Sequence, residues 1–308
     1  MTVLLLLAGL VLLLVGGEVL VRGASSIAER FGMPHFVVGV VVVGFGTSTP
    51  ELVTSVQAAL AGAPGIAVGN IVGSNIANIL LILGLTAALA PIAVERAVLR
   101  RDGGMALAAA VVCLGLAAVD GIDRLTGALL VAGLVAYIYT TIRHPTSSNL
   151  AEVDADAPLP NLWLAALLTV GGLAVVIIGA DLLVTAAIEL ARNSGISESV
   201  IGLTIVAVGT SLPELATSLI AAYRKQADIA LGNILGSNIY NVLGILGVTA
   251  LVEPMDMPDD IASTDVWVML GATLLLMVFA TTGKRICRME GAGFLALYGG
   301  YIGWLAVG

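Results

Sequence analysis

A ten-residue block at 46–55, Gly-Thr-Ser-Thr-Pro-Glu-Leu-Val-Thr-Ser, returns 163 positions later at 209–218 as Gly-Thr-Ser-Leu-Pro-Glu-Leu-Ala-Thr-Ser, with eight identities. The stretch 69–84 returns at 232–247 at the same offset, with twelve identities in sixteen. Weaker correspondences, Glu18 with Asp181 and Gly32 with Gly195, carry the repeat toward the start of each half. A duplication of this length restricts the fold to two related units, each holding one copy of a polar, proline-bearing block within apolar sequence.

The medium follows from composition: 59% of the 308 residues are hydrophobic, 11% are charged and the mean hydropathy is +1.07. A soluble core of this size has no need of that much apolar sequence, so the chain belongs in a lipid bilayer. The net charge of −8 has the wrong sign for a nucleic-acid partner, and nothing in the sequence indicates an obligate protein partner. Cys113 and Cys287 have no metal-ligand spacing and form no disulfide framework.

A helix crosses the hydrocarbon core with about 20 apolar residues. Ten such stretches are expected, at 2–21, 36–60, 66–90, 104–119, 125–142, 161–186, 199–222, 229–252, 264–282 and 291–307. The first runs on from Met1 without a basic leader and reads as a span, not a signal peptide. Of the thirteen Lys and Arg, eleven fall in odd-numbered loops; only Arg124 and Arg192 fall in even ones. The odd loops are therefore expected in the cytoplasm and both termini outside, in a multi-pass protein of the cell membrane. The segment 144–160, with three prolines and Glu152, Asp154 and Asp156, reads as a polar cytoplasmic linker. It separates a first five-helix unit, 1–143, from a second, 161–308. Five spans per unit is an odd number, so the second copy enters the membrane with opposite orientation. The expected fold is all-α: ten transmembrane helices as two inverted repeats, an arrangement that in secondary transporters sets the ion site at the midplane and permits alternating access.

Glu51 and Glu214 are expected mid-span, in equivalent helices. A charge there costs at least about 2.5 to 3.5 kcal/mol on insertion scales, which makes both functional candidates. Pro50 and Pro213 interrupt helical bonding just before them. Thr47 and Thr210 lie four residues upstream of the glutamates and so on the same helical face. In the following spans Ser74 with Asn78, and Ser237 with Asn241, present neutral oxygens at the same spacing. Asn70, Asn75, Asn233 and Asn238 are read as interhelical hydrogen-bonding residues.

Four carboxylate oxygens and two threonine carbonyls approach the six to eight oxygens that calcium prefers. Without Cys or His in the cluster, zinc and copper are poorly served. Two negative charges balance one calcium or two sodium ions, and holding both at once would leave uncompensated positive charge in low dielectric. An antiporter fits this arrangement; a channel calls for a ring of equivalent groups, and an intramembrane enzyme for a nucleophile and base or metal ligands that the cluster lacks. No cofactor is expected beyond the transported Ca2+ and Na+.

The two blocks, Gly-Thr-Ser-x-Pro-Glu and Gly-Asn-x-x-Gly-Ser-Asn at 46–84 and again at 209–247, resemble the alpha repeats of the sodium/calcium exchanger family within the calcium/cation antiporter superfamily. The resemblance covers nearly the whole chain and implies Na+/Ca2+ antiport. It implies calcium ligation by Glu51, Glu214 and the carbonyls of Thr47 and Thr210. Sodium ligation by the same glutamates, Ser48, Ser74, Ser211, Ser237 and the carbonyls of Gly44 and Ala207 is implied in the same way. Several members carry aspartate at the position of Asn241; here Asn78 and Asn241 are both neutral, which implies exchange without potassium. Cation/proton exchangers of the superfamily usually show Gly-Asn-Ala-x-Glu instead, so the block favours sodium, with H+/Ca2+ exchange as the alternative because a buried glutamate can take a proton in place of a cation.

Glu18 and Asp181 are read as interfacial carboxylates in preference to ion guides, His35 as structural, and the acidic stretch 253–265 as a solvated loop on the outer face in preference to one that gathers cations by its field. Trp163, Trp267 and Trp304 are expected at membrane interfaces.

Overall fold

The computed structural model describes residues 2–119, 121–144, 161–193 and 207–307. The linker at 145–160, Gly195 and the first part of the span expected at 199–222 lie outside these residues. Because hydrocarbon offers no hydrogen bonds, apolar sequence of this kind satisfies its backbone internally as helix. We number the helices used below α1 (Thr2–Phe31), α2 (His35–Thr47), α3 (Thr49–Leu60), α4 (Pro64–Leu89), α5 (Gly104–Leu116), α6 (Arg124–Arg143), α7 (Leu162–Asn193), α8 (Ala207–Thr210), α9 (Leu212–Tyr223), α10 (Ala227–Val252), α11 (Ile261–Thr282) and α12 (Arg288–Val307). Six of them, α1, α4, α6, α7, α10 and α11, are long and apolar enough to cross a membrane, and α2 with α3 forms a seventh candidate bent by 42°.

The first helix extends ten residues beyond its expected end at 21. Its last turns bury Ala24, Ser25, Ser26 and Ala28, so the sequence expected as a loop is helix, and Arg22 and Arg30 belong to it. Termination comes at Gly32, whose φ of +59° lets Met33 N donate to Ala28 O at 2.8 Å, the closing bond of a Schellman turn. The same turn follows α3 at Gly62 (φ +73°), and follows α9 at the repeat-related Lys225 (φ +60°), where Gln226 N donates to Ala221 O at 2.8 Å.

Helices α1 and α7 run antiparallel and pack backbone to backbone. A Cβ on Gly9 would lie 2.8 Å from Gly179 O, on Gly16 2.8 Å from Val176 N, and on Gly172 2.4 Å from Leu20 N. In lipid, where helices gain little from burying apolar surface against one another, small residues supply association by allowing this approach.

The short strands β1 (Ile92–Ala93) and β2 (Arg285–Ile286) pair antiparallel, joining segments expected as the third and ninth loops. Ile122 bridges Met255 and Arg124 donates to the carbonyls of Leu251 and Val252, joining segments expected as the fourth and eighth. In these two contacts a segment expected as an odd loop meets an odd one, and an even one an even one.

Two π-helical stretches, Asn78–Leu83 in α4 and Tyr240–Leu246 in α10, begin one residue apart in repeat register. Such wide turns occur often at functional sites, and here they carry Asn78 and Asn241.

Candidate ion-binding site

Both glutamates sit where a helix breaks and restarts. Ser48 ends α2 with φ −82° and ψ +11°, and α3 begins anew with Pro50 and Glu51 in its first turn. Ser211 (φ −91°, ψ +7°) does the same ahead of α9, which opens with Pro213 and Glu214. The prolines thus do not interrupt a continuous helix, as the sequence suggests. Each stands at a helix start, where its missing N–H is one of the unbonded donors anyway, and each glutamate lies near the positive end of a helix dipole.

The carboxylates meet the opposite half of the chain. Ser48 Oγ donates to Glu214 Oε1 at 2.8 Å, and Ser211 Oγ lies 3.4 Å from both Glu51 Oε1 and Ser74 Oγ. Ser237 Oγ donates to Gly44 O at 3.2 Å. The approach is close: a Cβ on Gly44 would lie 3.1 Å from Asn233 O and 3.3 Å from Ser237 N, so a larger residue there would require the neighbouring backbone to give by a few tenths of an ångström. Glu51, Glu214, Thr47, Ser48, Ser74, Ser211, Ser237, Asn78 and Asn241 are all buried, none above 3% exposed. Thr210 is half-buried and Ala207 lies in α8.

The asparagines assemble the site as the sequence suggests. Asn70 Nδ2 donates to Glu51 O (3.2 Å) and Ser55 Oγ (3.0 Å). Its repeat mate Asn233 Nδ2 donates to Glu214 O (3.2 Å) and lies 2.8 Å from Ser218 Oγ. Asn75 and Asn238 tie α4 to α10, Nδ2 of each bonding the backbone carbonyl of the other.

The threonine hydroxyls differ from expectation. Thr47 Oγ1 donates to Val43 O (3.0 Å) and lies 3.2 Å from Asn233 Oδ1, while Thr210 Oγ1 donates to Asn70 Oδ1 at 3.4 Å. They brace the other half instead of following their own glutamates, because the break at Ser48 or Ser211 destroys the four-residue register on which that expectation rests.

Four atoms carry the chemistry. Glu51 Oε2, Glu214 Oε2, Asn78 Oδ1 and Asn241 Oδ1 are buried oxygens that meet no donor. A buried carboxylate oxygen without a donor is costly unless a cation reaches it, and two pairs related by the 163-residue offset present such oxygens here. Among the described residues no group of three His, Cys, Asp or Glu comes together, so neutral oxygens would have to complete any coordination sphere, a hard-cation donor set.

The remaining marked residues divide. Glu18 forms an ion pair with Arg224, and His35 Nε2 lies 3.8 Å from Glu29 Oε1. Trp163, Trp267 and Trp304 are exposed, at 82%, 56% and 53%, as interfacial anchors are. In the acidic stretch, Asp265 Oδ1 accepts from Tyr301 at 2.8 Å. A cavity of about 380 Å³ runs from Asp260 and Asp265 to Asn70, Ser74 and Thr210. Sequence reasoning missed that connection, since nothing along one chain shows that the segment after α10 meets a cavity lined by α4, although Asp265 repeats Asp102 at the 163-residue offset.

A family model described as sodium/calcium exchanger protein matches residues 1–143 and 164–307. The chain belongs to the sodium/calcium exchanger family. Members similar to it over nearly full length include the putative antiporter CaxA of Alkalimonas amylolytica, 40% identical over 304 residues that cover 96% of this chain and 95% of that protein. The sodium/calcium exchanger MaX1 of Methanosarcina acetivorans is 34% identical, with 96% and 95% covered. Among solved structures, the sodium-calcium exchanger NCX_Mj soaked with zero Na+ and Ca2+ superposes with a TM-score of 0.86 at 36% identity, over 99% of this chain and 98% of that one. This exchanger is accordingly a mostly helical, multi-pass membrane protein of a transporter family.

Proposed function

We propose that this exchanger moves Ca2+ against Na+ by alternating access at a site between Glu51 and Glu214. One observation carries the reading: two buried carboxylates from opposite halves, each engaged through Oε1 by a serine of the other half and each left with an unpartnered Oε2. The ligand set is Glu51, Glu214 and the carbonyls of Thr47 and Thr210 for calcium. Ser48, Ser74, Ser211, Ser237 and the carbonyls of Gly44 and Ala207 join the glutamates for sodium, and Asn78 and Asn241 offer neutral oxygens to either cargo. A site of charge −2 balances one Ca2+, so the two cargoes exclude one another electrostatically. The names of MaX1 and NCX_Mj, both sodium/calcium exchangers, support the same ions.

The architecture that serves this function is ten transmembrane helices as two inverted five-helix repeats, 1–143 and 161–308, joined by the cytoplasmic linker 144–160. Pairings between residues 163 apart, such as Asn75 with Asn238, support it, as does the parity of the loops. The excess of Lys and Arg in odd loops supports extracellular termini in the cell membrane. With Asn78 and Asn241 both neutral, exchange needs no potassium.

Proteoliposomes loaded with sodium, potassium or choline and given external 45Ca2+ test the reading. Uptake that requires internal sodium supports it; uptake driven by a pH gradient instead makes the protein an H+/Ca2+ exchanger. Glu51→Gln and Glu214→Gln should each abolish uptake in protein that remains monodisperse, and normal transport in either variant would remove the site.

A further inference from the structure

We propose that Asn75 and Asn238, which ligate nothing themselves, are positioning residues that decide which end of the Asn241 and Asn78 amides meets the ion. The inference rests on Asn78 and Asn241 serving as ligands, as proposed above.

A primary amide is nearly symmetric in shape but opposite in chemistry at its two ends. Its oxygen accepts a cation, whereas its NH2 has only donors to offer. A neutral ligand of this type therefore works only if something imposes the orientation. Asn75 Nδ2 lies 3.2 Å from the backbone carbonyl of Asn238, and a carbonyl can only accept, so this contact fixes Asn75 with its nitrogen toward α10. Its Oδ1 is then an acceptor and takes Asn241 Nδ2 at 2.9 Å. With its NH2 held there, Asn241 turns Oδ1 away, buried and unpartnered.

The other half repeats the logic. Asn238 Nδ2 donates to Asn75 O at 3.4 Å, its Oδ1 accepts from Asn78 Nδ2 at 2.9 Å, and Asn78 Oδ1 is left free. All four amides are at most 4% exposed, so bulk water does not compete for these bonds. Each orienting bond crosses between α4 and α10. Neither half therefore aims its own amide ligand; the opposite half does.

The test is a double-mutant cycle between positions 75 and 241, read as the KM for Ca2+ in sodium-loaded proteoliposomes. Asn75→Ala removes the acceptor for Asn241 Nδ2 and lets the amide invert. It should raise the KM about tenfold, equivalent to about 1.4 kcal/mol, with turnover within about twofold. A carboxylate at position 241 presents oxygen at either end, so in the N241D background the same N75A change should alter KM by less than about twofold. An equal factor in both backgrounds would mean that Asn75 acts through packing alone and would overturn the proposal, as would an unchanged KM for N75A by itself. Where N75A does not fold, Asn238→Ala with and without N78D asks the same question. Failure of the cycle with E51Q and E214Q still inactive sinks this inference alone, whereas normal transport by E51Q or E214Q removes the site on which it rests.

Discussion

Ser48 and Ser211 are repeat mates in sequence yet hold their carboxylates unequally, and that inequality has a measurable consequence. Ser48 Oγ lies 2.8 Å from Glu214 Oε1, within the usual O–H···O range, whereas Ser211 Oγ lies 3.4 Å from Glu51 Oε1, beyond it. A hydrogen bond to a charged group contributes about 1.5 to 3 kcal/mol, so Ser48→Ala should cost about 2 kcal/mol and leave neither Glu214 oxygen with a serine donor. Ser211→Ala removes a much weaker contact and should cost under about 1 kcal/mol. For a chain somewhat longer than 250 residues, 1 kcal/mol moves Tm by about 2 to 4 °C, which gives a drop of roughly 4 to 8 °C for S48A and half that or less for S211A. The assay is thermal unfolding in detergent, in choline buffer with chelator so that neither Na+ nor Ca2+ is present. Added Ca2+ should raise Tm in both variants by mass action. Equal losses, or a larger loss in S211A, would refute the argument that these distances set the energetics of the empty site.

The glutamine variants at Glu51 and Glu214 and the cycle at Asn75 and Asn241 are described above with their readouts. Gly172→Ala places a Cβ 2.4 Å from Leu20 N and must push α1 from α7. Overpacking of this kind costs about 1 to 3 kcal/mol, visible as a lower Tm, and an unchanged Tm would mean that the two helices are not in backbone contact. Lys225→Gly relieves a non-glycine residue at φ +60°. The left-handed penalty of about 1 to 2 kcal/mol, less the chain entropy of glycine at about 0.5 to 1 kcal/mol, leaves a net gain of about 0.5 to 1 kcal/mol. A fall in Tm for K225G would contradict the turn described at that position.

The apolar stretches, the 163-residue repeat and the candidate ligands Glu51, Glu214, Ser74, Ser237, Asn78 and Asn241 were legible without coordinates. Hydropathy states where a chain can enter lipid, and a mid-span carboxylate is too costly to be incidental. Even the role of Asn70, Asn75, Asn233 and Asn238 as links between helices followed from residue type. Local rules erred where the chain leaves regular helix. The length of α1 depended on burial of Ala24 and Ala28, which no loop signal reveals, and the place of Pro50 and Pro213 depended on breaks at Ser48 and Ser211.

The medium, the duplication and the supply of oxygens follow from transfer energies and spacing along one chain. Coupling between the halves comes from their packing. Ser48 reaches Glu214 across 166 positions and Asn75 orients Asn241 across the same separation, whereas the threonines turn from their own glutamates to asparagines of the other half. Periodicity relates residues within a helix. Which buried acceptor meets which donor between helices is set by how the two halves pack.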